Sequence, residues 1–263
     1  MAQKNKSNTS PYKTRLAARG LTAPRTLEGK HETPQVIYEL NEASDRLLDI
    51  FKNHKFDLVN HDERKQLAHF YQILMQEQKK LNITRLLKFH EIAIKHFIDS
   101  LWILKFTDLQ FPLLDMGTGP GFPGIPLKIK FPTEKILLGE GVQKRVEYLK
   151  QVREKLDLKN LDIIGRNINP EFVYPVNGVI TRAVEDISNS LKNVSGCLQV
   201  GGRVYFMKGP AVDPEILAAK KDWSEFYKLV QDTAYQLPET TQDRRLVIYE
   251  KIKEIPLVDE DEN

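Results

Sequence analysis

One cysteine, Cys197, stands in 263 residues, so no disulfide can staple the chain. Six histidines, at positions 31, 54, 61, 69, 90 and 96, are scattered and form no ligand cluster in the sequence. No unbroken apolar run approaches the roughly 18 residues that a membrane span needs. The first thirty residues lack the apolar stretch of a secretory signal. A membrane role, a metal site and an oxidising compartment are therefore not expected, and the expected location is the cytoplasm. The triphosphate-binding string G-x-x-x-x-G-K-[ST] is also missing. What is present is an ordinary globular composition, 41% hydrophobic and 29% charged, long enough for one large domain with an appendage.

Charge is unevenly spread. Residues 1–30 hold seven basic groups against the single acid Glu28, a local charge of +6, so the rest of the +3 chain sums to −3. Residues 1–35 therefore read as a disordered basic arm, able to attract nucleic acid or simply to stay solvated. The acidic end, 255–263, reads as a solvated tail.

Residues 36–106 carry helical periodicity. Ile37, Leu40, Leu47, Leu48 and Phe51 share a stripe, and Asn60 with Glu63 resembles a capping box. The helix it opens would carry Leu67, Phe70, Tyr71, Leu74 and Met75 inward. A third helix is expected over Phe89–Leu104. From 107 to 254 short apolar runs alternate with helices. The expected strands are Pro112–Met116, Lys135–Gly139, Leu161–Ile164, Gly178–Thr181 and Arg203–Lys208, followed by a hairpin over Phe226–Gln236 and Arg244–Lys253. A helix between the second and third strands, with Val142, Val146, Leu149 and Val152 inward, places Lys144, Arg145, Lys150 and Arg153 outward. This alternation predicts an α/β fold, a mostly parallel seven-stranded sheet with an antiparallel edge hairpin, preceded by a helical region.

Chemistry concentrates where the first strand, ending Asp115-Met116, runs into Gly117-Thr118-Gly119-Pro120-Gly121-Phe122. Ligands of open α/β sheets bind at such strand–helix junctions. Phe122 occupies the place where a dinucleotide fingerprint wants its third glycine, which argues against a dehydrogenase and leaves S-adenosylmethionine as the expected ligand. Asp115, Gly117, Thr118, Gly119, Gly121 and Phe122 are the loop candidates. Glu140, 25 residues beyond Asp115 at the end of the second strand, can accept both hydroxyls of a ribose. A lone acid there is otherwise a surface residue. His96 and Asp99, one helical turn apart, read as bracing groups for the glycine loop rather than a catalytic pair, and Trp102 and Trp223 read as core.

The chain resembles the RsmG (GidB) methyltransferases, Rossmann-like enzymes that methylate N7 of a guanine in 16S ribosomal RNA. The resemblance spans Leu81–Lys251, some two thirds of the chain. It rests on Leu81-Asn82-Ile83-Thr84, Lys95-His96-Phe97-Ile98-Asp99-Ser100, the loop Asp115–Leu127, Lys144-Arg145-Val146, Gly178–Ala183, Met207-Lys208-Gly209 and Asp243–Val247. It implies contacts to the cofactor from Gly117, Phe122, Glu140, Asn167, Ile168 and Arg182. Many relatives carry a small residue and then a glutamate after the arginine of the third strand. Here Arg166 is followed by Asn167 and Ile168, which removes a side-chain carboxylate contact and leaves backbone contacts available. Arg182 and Arg244 are the expected catalytic positioning groups, with no general base. Arg166, Lys208, Arg244, Arg245, Lys144 and Arg145 are the expected contacts to 16S RNA, free, in the 30S subunit or in an assembly intermediate. A small-molecule methyltransferase and a non-catalytic RNA-binding or ribosome assembly factor are the competing readings.

Overall fold

The computed structural model describes residues 33, 34, 36–182 and 185–256. The expectations for the basic arm fall almost wholly outside them, as do those for most of the acidic tail.

Two helices open the described chain, α1 (Leu40–Asn53) and α2 (His61–Gln78). Asn60 Oδ1 accepts from the amides of Asp62 and Glu63, both at 2.9 Å, while Glu63 accepts from the Asn60 amide at 2.7 Å. The anticipated capping box therefore starts α2, satisfying donors that a helix N-terminus leaves open. The third helix departs from expectation. It is four residues of α3 (Phe89–Ile92), a π-helical turn over Ala93–Ile98, four residues of α4 (Asp99–Trp102) and a 3-10 turn over Ile103–Lys105. A π turn holds more residues per revolution than an α turn and commonly marks a functional site. Periodicity over sixteen residues is too blunt to reveal it.

The sheet comprises β1 (Leu113–Met116), β2 (Ile136–Gly139), β3 (Leu161–Ile164), β4 (Val176–Arg182), β5 (Leu198–Lys208), β6 (Tyr227–Gln236) and β7 (Asp243–Lys251). Between them lie α5 (Gly124–Lys130), α6 (Gln143–Lys155), α7 (Ile187–Asn193) and α8 (Asp213–Trp223). The strand order is β3-β2-β1-β4-β5-β7-β6. β1 to β5 run parallel and β7 is antiparallel to both its neighbours. The order reverses between β1 and β4, which opens a crevice at the carboxyl ends of those strands. This is the expected Rossmann-like methyltransferase fold.

Each strand sends alternate residues to opposite faces. Leu113, Ile136, Leu138, Ile180, Tyr205, Met207, Leu246 and Ile248 join one core with α1, α2, the π turn, α5 and α6. Leu114, Leu137, Val179, Val204, Phe206, Val247 and Tyr249 join the other, with α7 and α8. This parity assigns the functional strand-end residues. Arg182 and Arg244 share the phase of Ile180 and Leu246 and face the helical region. Lys208 and Arg245 share the phase of Phe206 and Val247 and face α8. Trp102 and Trp223 pack against the two cores.

Candidate functional site

The glycine loop closes onto the neighbouring strand: the amides of Gly117 and Thr118 both donate to the Gly139 carbonyl, at 2.9 and 3.0 Å. Gly121 has φ +101°, and a Cβ there would sit 2.7 Å from Ile125 Cγ1, so only glycine fits. Asp115 ties the two ends of the loop together. Its Oδ2 accepts from Thr118 Oγ1 at 2.6 Å and from the Gly124 amide at 2.7 Å, and its Oδ1 has no partner. Gly124 makes this possible, because a Cβ there would collide with Leu138 and lie 2.6 Å from Asp115 Oδ2.

Asp115, Thr118 and Phe122 are all buried and none of them lines the open cleft. Their side chains brace the loop, through the Asp115 bonds and the stacking of Phe122 on His96, and Gly117 is the residue of the glycine loop that lines the cleft. Burial pushes the Asp115 carboxyl up to about 6, held back by its bonds from Thr118 and Gly124. A carboxyl whose folded value exceeds its unfolded one favours folding in its protonated form. Its contribution is therefore complete below about pH 4 and is lost as pH rises to about 6. The difference in thermal midpoint between the native chain and Asp115→Asn should shift against the native chain across that window. A pH-independent difference would refute the assignment.

The cleft measures about 460 Å³, within the usual range for a small-molecule site. Its wall includes Gly117, Glu140, Arg145, Asn167, Ile168 and Arg182. Glu140, buried at the end of β2, accepts from the Val142 amide through Oε1 at 2.8 Å. Its Oε2 is 3.6 Å from Arg145 Nη1, beyond hydrogen-bond reach. One carboxylate oxygen is thus left for a hydroxyl donor, which fits a ribose diol. Gly139 and Gly141 flank this acid. Ile168 packs against the first, and a Cβ on the second would strike Asn167 Oδ1. The pair Asn167-Ile168 is thereby held beside Glu140. The G-E-G string was legible in the sequence but passed over, as were Glu185 and Asn193, which complete the wall and bond to each other at 2.7 Å.

Arg145 is a correction. It does not project from the outer face of α6 but turns toward Glu140, with its Nε buried and unpartnered. Periodicity misassigned it because Arg145 lies in the first turn of α6, where the chain enters from the cleft. Lys144 is exposed, as expected.

Beside the cleft lies a second cavity of about 270 Å³, lined by Lys95, His96, Asp99, Arg182, Met207, Lys208, Gly209 and Arg244. Arg182 lines both cavities. Its Nη1 donates to the Lys95 carbonyl at 3.0 Å and to Asp99 Oδ2 at 3.1 Å. Arg244 Nε donates to Asp99 Oδ1 at 3.0 Å. His96 stacks on Phe122, centroids 4.1 Å apart and planes 10° from parallel. Desolvation, then the Arg182 charge, hold its imidazole well below its ordinary value, so it is neutral. Since arginine can only donate, the 3.1 Å contact with Arg182 Nη2 makes His96 Nδ1 the acceptor. Nε2 then carries the proton toward Thr84 Oγ1, 3.3 Å away. His96 and Asp99 are bracing groups, as expected, and Asp99 holds the arginines rather than the loop.

Of the remaining basic candidates, Lys208 shares the second cavity and Arg166 and Arg245 lie outside it. Lys208 is held by the Glu185 carbonyl at 2.6 Å and Glu215 at 2.8 Å. Arg245 is paired with Asp213 and Asp232 on the α8 side. Arg166 donates to Asn169 at 2.7 Å and is exposed. A larger groove, about 870 Å³, lies in the helical region beside Tyr38, Arg46 and Lys88 and shares no residue with the cleft. Among the described residues no cluster of three or more His, Cys, Asp or Glu could hold a metal, and no helix is long and apolar enough to cross a membrane.

A parallel sheet that reverses at β1/β4, with a glycine loop there and an acid with a spare oxygen on the next strand, defines a Rossmann-like S-adenosylmethionine-dependent methyltransferase. Comparison with known proteins narrows the class. The family model GidB, described as rRNA small subunit methyltransferase G, matches residues 63–247. Ribosomal RNA small subunit methyltransferase G 2 of Bdellovibrio bacteriovorus is 68% identical over 234 residues, covering 89% of this chain and 92% of its own. The protein of that name from Syntrophobacter fumaroxidans is 41% identical over 71% of this chain and 38% of its own. Ribosomal RNA small subunit methyltransferase G of Carboxydothermus hydrogenoformans is 34% identical over 77% of this chain and 89% of its own. The chain belongs to the rRNA small subunit methyltransferase G family.

Proposed function

We propose that the chain transfers a methyl group from S-adenosylmethionine to N7 of a guanine in 16S ribosomal RNA. Family membership supports the reaction and the RNA class. The observation that carries the two-site reading is Arg182, which lines both the Glu140 cleft and the neighbouring cationic cavity. Glu140 would hold the ribose, the Asn167-Ile168 pair the adenine side, and the Gly117 backbone the loop side of the cofactor. When bound, the cofactor supplies an electrophilic methyl group on sulfur.

The residues of the chain do the rest by placement. Guanine N7 has a free lone pair, so no side chain need remove a proton, and rate gain comes from orientation. Neutral His96 accepts from Arg182 rather than acting as an acid or base. Arg182 and Arg244 are the groups assigned to the base. Lys144, Arg166, Lys208 and Arg245 are assigned to the RNA around it. Arg145 moves from the RNA set to the cofactor set. The division at 1–35, 36–106, 107–254 and 255–263 belongs to this reading, with the helical region supplying Lys95, His96 and Asp99 to the site. We place the reaction in the cytoplasm, on free RNA or a 30S particle.

The test is incubation of the protein with tritiated S-adenosylmethionine and 30S subunits, or their RNA, from a strain lacking the enzyme. Label should enter 16S RNA and appear as N7-methylguanosine after nuclease digestion. Absence of label from RNA would end the enzymatic reading, and label on another atom would end the N7 assignment.

A further inference from the structure

The second cavity has an asymmetry in its polar wall. Asp99, the one carboxylate among the described residues of that wall, accepts from Arg244 at Oδ1 and from Arg182 at Oδ2. His96 spends Nδ1 on Arg182 and Nε2 on Thr84. Every side-chain nitrogen or oxygen acceptor of the wall is therefore engaged, while Lys95, Arg182, Lys208 and Arg244 carry only donors. Asp99 is also nearly inaccessible, with a side chain 4% exposed, whereas those of Arg182 and Arg244 are 17% and 24% exposed. The acid is hidden beneath the guanidiniums that it holds.

We propose that Asp99 is a positioning residue that sets base choice. By engaging Arg182 and Arg244 with separate oxygens while lying beneath them, it leaves a cavity whose accessible side-chain polar groups are donors. A purine with a carbonyl at C6 is then accepted, and one without it is refused. The proposal rests on the N7-guanine reading above. In that reaction N7 must stay open to the incoming methyl, so the discriminating contact falls on O6, where arginine is the usual partner. Adenine would present an amino donor to a wall of donors. A buried donor or acceptor left unmatched is what makes such rejection strong. Asp99→Asn exchanges one acceptor oxygen for an amide donor that repels the facing guanidinium, so one arginine is released from its place.

The experiment uses the full chain and 16S RNA in which the nucleotide labelled by the native protein is replaced by inosine or by 2-aminopurine. Inosine keeps O6 and N7, whereas 2-aminopurine keeps N7 and lacks the carbonyl. The native protein should methylate inosine RNA within about fivefold of guanine RNA, and 2-aminopurine RNA about 100-fold more slowly in kcat/KM. In Asp99→Asn the rate on guanine RNA should fall about 100-fold, chiefly in kcat, and the 2-aminopurine penalty should shrink below about 10-fold. S-adenosylhomocysteine affinity should stay within about threefold, which also reports that the variant is folded. Arg244→Gln supplies a second route: it should shrink the penalty in the same way, and adding Asp99→Asn to it should cost little more. An undiminished penalty in either variant, or additive losses in the double variant, would overturn the proposal. Failure of the native protein to label any RNA would instead overturn the reading on which it rests.

Discussion

Glu140→Ala is expected to weaken S-adenosylhomocysteine binding about 100-fold, because hydrogen bonds to a charged group are worth about 1.5–3 kcal/mol each and a ribose offers two donors. Titration calorimetry reads this directly. The loss has two sources in the structure. Oε2, left short of a partner by the 3.6 Å gap to Arg145, would no longer meet a hydroxyl. Oε1 would no longer hold the Val142 amide where α6 begins. Glu140→Gln separates them, since the amide keeps one acceptor and loses the charge; an intermediate affinity is expected. Unchanged binding in Glu140→Ala, with the thermal midpoint intact, would remove Glu140 from the cofactor set.

Arg182→Ala is expected to cost more in catalysis than in cofactor binding, lowering kcat/KM for RNA by about three orders of magnitude. Three neighbours lose a donor at once: the Lys95 carbonyl, Asp99 and His96. Removing one partner of a buried ion pair costs about 3–5 kcal/mol when the survivor is left alone, and Arg244 keeps Asp99 partnered, so about 2 kcal/mol of stability is expected to go. Arg182→Lys should lose nearly as much activity with less loss of stability. A lysine carries the charge, yet one ammonium cannot reproduce the planar fork that meets Lys95, Asp99 and His96 together. Near-native transfer by Arg182→Lys would show that charge alone is needed and would sink the geometric account. Chemical denaturation and single-turnover label transfer measure the two halves separately.

Much of the fold was legible because its determinants are local. The sheet strands were readable as short apolar runs between helices, and the Asn60/Glu63 box, three residues across, was readable as a pattern. The glycine loop was equally open to reading, since a chain that turns this sharply restricts the residue types allowed. The third helix was not legible in detail. Its apolar stripe looks the same whether the turns are α or π, so periodicity placed Phe89–Leu104 on one face and missed the π turn that presents Lys95 and His96 directly before Asp99.

The candidate site divides along the same line. Loop and acid were found because G-x-G-x-G and a carboxylate one strand later are sequence-level features. Where a loop side chain points inward, its bracing contacts could not be read from the sequence: Asp115 and Thr118 bond to each other, and Phe122 packs on His96. Among the strand-end cations the family resemblance singled out Arg182 and Arg244. Strand parity, itself a sequence property, separates Arg182 and Arg244 from Lys208 and Arg245, and it required only knowing which face the helical region covers.

By itself, then, the sequence determined the glycine loop at 117–121, the acid at 140 and the alternation that makes a parallel sheet. All of these act over a few residues or through one repeated unit. Only the tertiary structure decided that Asp99 meets Arg182 and Arg244, 83 and 145 residues further along the chain, and that Arg145 turns toward Glu140. The physical reason is that the loop reports its own backbone strain wherever it is read. An ion pair between distant residues reports nothing until the sheet brings its partners within about 3 Å of each other, the reach of a hydrogen bond.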